Sequence, residues 1–429
     1  MECPDDLFVV QALARAMNPT PHASSQVAHE TRKHWAPVFL IGSIVSASLW
    51  DFRVHDIRIF DALSVLLIGG FFLLSPEPIG DWWQRRRNFL FLFATIIVWA
   101  IAGYVLHWHR SSLAIIVFSL IGLHLIGHRE VNEAARFYKW LAAIHIAFFL
   151  LQFTTFYVFG AFIDFHRFYG TASRISNGVG NLRGAGLFQE PNSYCVNLFI
   201  LSTLAILHRP SHLFVAVAAT TMMLSESLWG MGAAIVLVLL NEARTGGRLY
   251  RRALTGAALA LALFGFFNVY VWGTMLSYQT VPDFYSRLAN IKNDTSLRDR
   301  YLQNPASVPN CIDCESPTQE ISSSTTRNHG LLARTLGAGL TTQHFIQSIP
   351  AYGFALLFQS FGLLGLIALI VGFYFAIRDL TTSHKLSVSA AILFVFTTYP
   401  LLTYVIFWIW LPSLIVFTRT REEHEVSRA

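Results

Sequence analysis

Twelve apolar runs, separated by polar connections of which two are long, limit what this chain can become. They fall at about 36–50, 57–75, 89–107, 111–127, 140–160, 193–208, 212–225, 229–241, 253–274, 349–377, 385–399 and 401–418. Crossing a bilayer core takes roughly 20 apolar residues, and several runs approach that length. Breakers punctuate them: Pro76 and Pro78 after the second, Pro210 between the sixth and seventh, Pro400 between the last two. Proline cannot continue a helix. Composition agrees. Apolar residues make up 54% of the 429 positions and charged residues 13%, against about 25% charged in soluble proteins. The 36 Phe and 11 Trp need more apolar surroundings than one soluble core provides, and mean hydropathy is +0.48. This excludes a soluble enzyme, a disordered chain and a single-anchor receptor. The expected fold is all-α: a polytopic membrane protein with about 12 transmembrane helices and two long outward-facing loops.

Charge sets the expected orientation. The 31 Lys and Arg lie in the connections or at run edges, and such residues collect on the cytoplasmic side. With the N-terminus inside, inner connections hold Arg85, Arg86, Arg87, Arg129, Arg136, Lys139, Arg209, Arg244, Arg248, Arg251, Arg252, Arg378 and Lys385. Short outer connections hold only Arg53, Arg58 and Arg110. The expected organisation is a cytoplasmic tail over 1–34, a transmembrane domain over 35–418 and a cytoplasmic tail over 419–429. Its outer loops cover about 161–192 and 275–348. The first tail lacks an apolar h-region, so the first span is expected to act as its own insertion signal. The pI near 9.2 reflects inner-leaflet basic loops, and no nucleic-acid partner is expected. Four scattered cysteines do not make a disulfide framework.

Long connections without structure of their own are usually functional or disordered, and two of them facing one side make that side the place to look for function. The first ends in Arg183-Gly-Ala-Gly-Leu-Phe-Gln-Glu190-Pro-Asn-Ser-Tyr194, directly before the sixth run. Its glycines permit a tight turn beside Arg183. Pro191 can begin a helix, and Asn192 or Ser193 can satisfy its free amides. A helix N-terminus with a nearby guanidinium makes an anion site. The alternative is that Arg183 snorkels to lipid headgroups while Glu190 caps the helix.

The second loop carries Ser286-Arg287, then Asn293-Asp-Thr-Ser-Leu-Arg298-Asp-Arg300-Tyr301, and later Arg327-Asn328-His329. Arginine suits a diphosphate because its planar fork binds two oxygens at once. The alternative is a solvated loop with ordinary ion pairs such as Arg298–Asp294. Cys311 and Cys314 form a C-x-x-C pair without the two further ligands a zinc site needs. Walker A, H-E-x-x-H and G-x-S-x-G patterns are absent, as is Asp-x-Asp. Neither metal nor cofactor is expected. Within the runs, His124, His145, Gln152 and Gln359 are expected to hydrogen-bond between helices.

The Arg183–Asn192 segment resembles the signature of the bacterial O-antigen polymerase and ligase superfamily, which includes Wzy-type exopolysaccharide polymerases. Leu224-Ser-Glu-Ser-Leu-Trp-Gly230 is similar to the Ser-rich junction that opens the family's next span. Ser286-Arg287, Asp294-Thr-Ser296 and Arg300 resemble the start of its large periplasmic loop. The likeness covers about 170–375. It implies a glycosyltransferase in the bacterial inner membrane that takes undecaprenyl-diphosphate-linked oligosaccharide on the periplasmic face. It also implies a flippase and a chain-length regulator of the same pathway as partners. Gly330 after His329 departs from the ligase pattern, which favours a polymerase.

A diphosphate is a weakly basic leaving group, so it needs charge stabilisation more than a general acid. Arg183, Arg287, Arg298, Arg300 and Arg327, with Asn192, are the expected substrate-binding residues. Glu190 and His329 are the candidate bases for the acceptor hydroxyl. Three rivals stand beside the polymerase. One is a ligase that moves glycan to lipid A core. Another is a glycolipid transporter, suggested by Gly80-Asp81 before Arg85-Arg86-Arg87. The third is another membrane glycosyltransferase using Asp51 and Asp56 in the first outer connection.

Overall fold

Every apolar run that falls among the described residues forms a helix, because only a helix satisfies all backbone polar groups within an apolar segment. The computed structural model describes residues 35–52, 58–76, 79–107, 110–126, 128, 130–131, 134–169, 177–178, 181–245, 354–380, 382–396 and 401–426. The helices are α1 (Trp35–Ala47), α2 (Ile59–Leu74), α3 (Ile79–His107), α4 (Arg110–Leu125), α5 (Ala135–Phe159) and α6 (Pro191–His208). They continue with α7 (His212–Leu224), α8 (Leu228–Thr245), α9 (Phe354–Ile377), α10 (Thr382–Phe396) and α11 (Val405–Val426). The backbone of α9 breaks at Gly362 (φ +61°). Two-residue strands, β1 (Asn177–Gly178) and β2 (Asn181–Leu182), pair antiparallel ahead of α6. The run at 253–274 and the second long loop lie outside the described residues.

Helix α6 is the centre of the bundle. Residues 191–207 are all buried, because α5, α7, α8 and α11 pack around it. A helix surrounded in this way is expected to be apolar all round; some of its polar exceptions find partners in the neighbours, while the side-chain N and O of Asn197 and the hydroxyl of Ser202 are buried without a hydrogen-bond partner. Thr203 Oγ1 accepts the Trp410 indole N–H from α11 at 2.9 Å. Tyr194 donates to Thr221 Oγ1 on α7 at 2.9 Å. To one side, α3 packs between α4 and α9, and α4 reaches α11. Small polar residues join α1 to α2: the Ser43 and Ser64 hydroxyls meet at 3.0 Å, and Ser46 donates to Phe60 O at 2.6 Å.

Two helices are long and apolar enough to cross a membrane by length and composition: Gly80–Val105 with mean hydropathy 2.0 and Arg136–Phe159 with 1.8. Only 39% of each apolar window is buried, whereas the core helix of a soluble protein is mostly covered. Large apolar side chains stand on the outer faces, with Leu73 82% and Leu213 78% exposed.

Several of the basic residues assigned to inner connections lie within helices instead. Arg85, Arg86 and Arg87 lie inside α3, and Arg136 and Lys139 lie in the opening turns of α5. Arg86 is fully buried. Its Nε donates to Leu123 O at 2.9 Å and its Nη2 to His124 O at 2.6 Å. Those carbonyls belong to the last turn of α4, where the helix leaves acceptors without partners. Arg86 is therefore a cap for a neighbouring helix and not a loop cation. The Gly80-Asp81 pair that suggested a transporter also lies within α3.

Candidate functional site

The Arg183–Glu190 segment is seated in the bundle by α5. Gln152, buried in that helix, uses one side-chain oxygen to accept the N–H groups of Ala185 and Gly186, both at 2.9 Å. Its Nε2 donates to Ile163 O at 2.8 Å, so one side chain holds both ends of the loop. One turn further along, the Tyr157 hydroxyl accepts Leu182 N–H at 3.0 Å. Phe149 forms the floor. A Cβ at Gly184 would stand 2.7 Å from its ring, and one at Gly186 would stand 3.2 Å from its backbone nitrogen. Gly186 is also left-handed (φ +55°). Glycine is thus required on both steric and conformational grounds.

Residues from the α1–α2 connection close the outer edge. Asp51, almost fully buried, accepts Gln189 N–H at 2.8 Å. His166 lies in a short 3₁₀ turn, stacks on Phe52 at 4.9 Å and bonds Leu187 O through Nε2 at 3.0 Å. Its imidazole is held below its ordinary value by burial, against the opposing pull of Asp51, the Leu187 carbonyl and Asp164. Trp50 packs on Phe188 and, at 4.4 Å, on Tyr404. Arg58 covers the other face of this cluster: its guanidinium is 4.0 Å from the Tyr404 ring centroid and donates to Thr403 O at 2.9 Å. Asp51 and Arg58 thus support the loop, and neither stands in a separate platform. Asp56 lies outside the described residues.

The third wall is the junction between α7 and α8. Ser227 donates to Asn192 Oδ1 on α6 and accepts Gly230 N–H at 3.0 Å. Ser225 meets Cys195 Sγ at 3.0 Å and donates to Met222 O at 2.7 Å. Between these serines, Glu226 adopts a left-handed backbone (φ +55°). Its carboxylate interacts electrostatically with Tyr157, and Arg183 interacts in the same way with Cys195. Ser227 thus ties this turn to the N-terminal end of α6, and the loop that carries Arg183 leads into the same end.

Of the residues expected from sequence, the structure brings Arg183, Glu190 and Asn192 to this end of α6. Glu190 is the N-cap residue, yet its side chain makes no cap hydrogen bond. Pro191 takes the first helical position as expected. Asn192 does not cap either, since its oxygen accepts from Ser227. Arg287, Arg298, Arg300, Arg327, His329, Cys311 and Cys314 lie outside the described residues. Sequence reasoning missed the roles of Gln152 and His166 in holding this loop. Among the described residues no group of three or more His, Cys, Asp or Glu side chains is placed to hold a metal ion. Comparison with protein-family models, curated proteins and solved structures finds no match to this chain.

Proposed function

We propose that this chain is a polysaccharide polymerase of the bacterial inner membrane, moving a growing glycan from undecaprenyl diphosphate onto a new lipid-linked repeat. The observation that carries this reading is the seating of the Arg183–Glu190 segment at the N-terminus of α6, whose residues 191–207 are all buried. A cation used only for headgroup contact needs no such frame. Here Gln152, Tyr157, Asp51 and His166 fix the loop's backbone at five groups, and preorganised donors are what a developing anion requires. In the reaction, the bond from the donor's anomeric carbon to the diphosphate oxygen breaks as the acceptor hydroxyl bonds to that carbon. Arg183 takes the diphosphate charge together with Arg287, Arg298, Arg300 and Arg327, Asn192 helps to bind the substrate, and Glu190 and His329 are the sequence's candidates for the proton. The wider architecture we propose has about 12 spans, both termini cytoplasmic, and the 161–192 and 275–348 loops in the periplasm.

A deletion strain tests this through its glycan lipids. Polymerase loss leaves single repeats that still reach the final acceptor. Long chains stranded on undecaprenyl diphosphate identify a ligase instead, and repeats trapped on the cytoplasmic leaflet identify a flippase. For the topology, a reporter fused at position 310 that is active only in the cytoplasm would overturn the assignment.

A further inference from the structure

The start of α5 meets the start of α7, where the Lys139 ammonium lies 5.6 Å from the centroid of the Phe214 ring. Arg136 stands one turn before Lys139 on α5. Arg209 is the C-cap residue of α6, just ahead of the Ser211 that caps α7. Three basic side chains therefore belong to this end of the bundle, opposite the end where the Arg183 loop meets α6. All three are exposed, and none of them forms an ion pair among the described residues. Like charges left uncompensated on one surface draw an anion to it.

Beside the cations the surface turns apolar. Trp140 follows Lys139 directly and is 72% exposed, and Ile144, also exposed, continues its face one turn on. On α7, Leu213 and Val217 repeat that spacing and are exposed too. Residues four apart share one side of a helix, while Tyr138 and Ala142 on α5 and Val215 and Ala218 on α7 are buried. The two apolar strips thus face away from the bundle, and both run from the cations towards its middle. A soluble acidic protein or a nucleic acid matches the charges but would cover the strips with polar surface. A phospholipid matches both parts, and an indole suits the boundary between headgroup and chain.

We propose that this face of α5 and α7 binds an anionic phospholipid. Arg136, Lys139 and Arg209 hold its phosphate, and its chains lie along the strips that begin at Trp140 and Leu213. The site requires a bilayer around the helices but not the transferase reading.

The test titrates the purified full chain, in neutral detergent micelles, with dioleoylphosphatidylglycerol and reads bound lipid by native mass spectrometry. Phosphatidylglycerol should be retained well above phosphatidylcholine. Arg136→Gln, Lys139→Gln and Arg209→Gln should each weaken it about five-fold, and Lys139→Arg should stay near wild type. Arg167→Gln, which removes the same charge beyond the far end of α5, should change nothing. Equal retention of phosphatidylcholine, or an equal loss in Arg167→Gln, would overturn the proposal. Glycerol 1-phosphate binding as tightly as the lipid would do so as well, by showing a free-anion site without a role for the strips. A dimeric chain that separates on Trp140→Ala would make this face a contact between copies instead. Since the substituted side chains are exposed, melting temperature in lipid-free micelles should not move, and binding lost only together with stability would also count against the site.

Discussion

Gln152 and Gly186 are joined by a 2.9 Å hydrogen bond in which a buried mid-helix side chain holds the backbone of a loop 34 residues further along the chain. The same oxygen holds Ala185 N–H, and Nε2 holds Ile163 O. Gln152→Leu keeps the volume but strips two donors and one acceptor of their partner. Each buried orphan costs about 1–3 kcal/mol, so a loss of roughly 3 kcal/mol or more is expected, read as a lower melting temperature. Loop cleavage by a protease should appear at lower temperature still. Gln152→Glu keeps the acceptor for both N–H groups and should fall between. Wild-type melting of the Leu protein would mean that the loop stands without Gln152.

Arg183 is the sharpest functional test within the same loop. If it grips a diphosphate through both arms of its fork, Lys keeps the charge but loses the paired bonds. Arg183→Ala should lose about 10²–10³-fold in chain extension, the usual effect of removing one preorganised donor, and Arg183→Lys should recover only a small part. Membrane abundance should stay near wild type. Normal polymer length from an Arg183→Lys, Arg287→Lys protein would decide for simple headgroup contact.

These two residues mark what was legible in the sequence. The helices of this bundle were, since an apolar run has one satisfied conformation in an apolar environment. Arg183 was also legible, because glycines and a proline around an arginine announce a turn before a helix. The start of α3 was not. α3 runs back through Arg85–Arg87 because Arg86 finds the carbonyls at the end of α4, a tertiary pairing that hydropathy cannot see. Gln152 could be marked as an intramembrane polar residue but not assigned to a loop so distant in the chain.

His166 gives the site a pH dependence with a definite sign. Burial lowers its pKa below the ordinary 6.5 in the folded chain. Above 6.5 both states are neutral and its hydrogen bond to Leu187 O contributes fully. As pH falls through 6.5, the unfolded chain takes up a proton that the folded chain still refuses, and stability drops until the folded imidazole also protonates. Asp51 and Asp164 soften this drop without reversing it. Melting temperature should therefore decline between about pH 7.5 and about pH 5.5, more steeply for wild type than for His166→Gln, whose amide can still donate to Leu187. Equal slopes would show that His166 does not titrate against folding.

Gly230 tests whether the α6–α8 contact controls the site. A Cβ there would lie 2.5 Å from Cys195 Sγ and 2.9 Å from Met222 O. Overpacking of this kind costs about 1–3 kcal/mol, so Gly230→Ala should lower the melting temperature. The added methyl pushes α8 away from α6 and α7, which would stretch the Ser227–Asn192 bond at the start of α6. Extension activity should therefore fall with stability. Cys195→Ala removes the closer obstacle and leaves Met222 O, so the double mutant should recover part of both losses. The expected coupling is about 0.5–3 kcal/mol, as for residues in direct contact. Strictly additive melting data would show that the two positions do not touch. Activity that returned without stability would place the effect at the junction and not in the packing of α6 against α8.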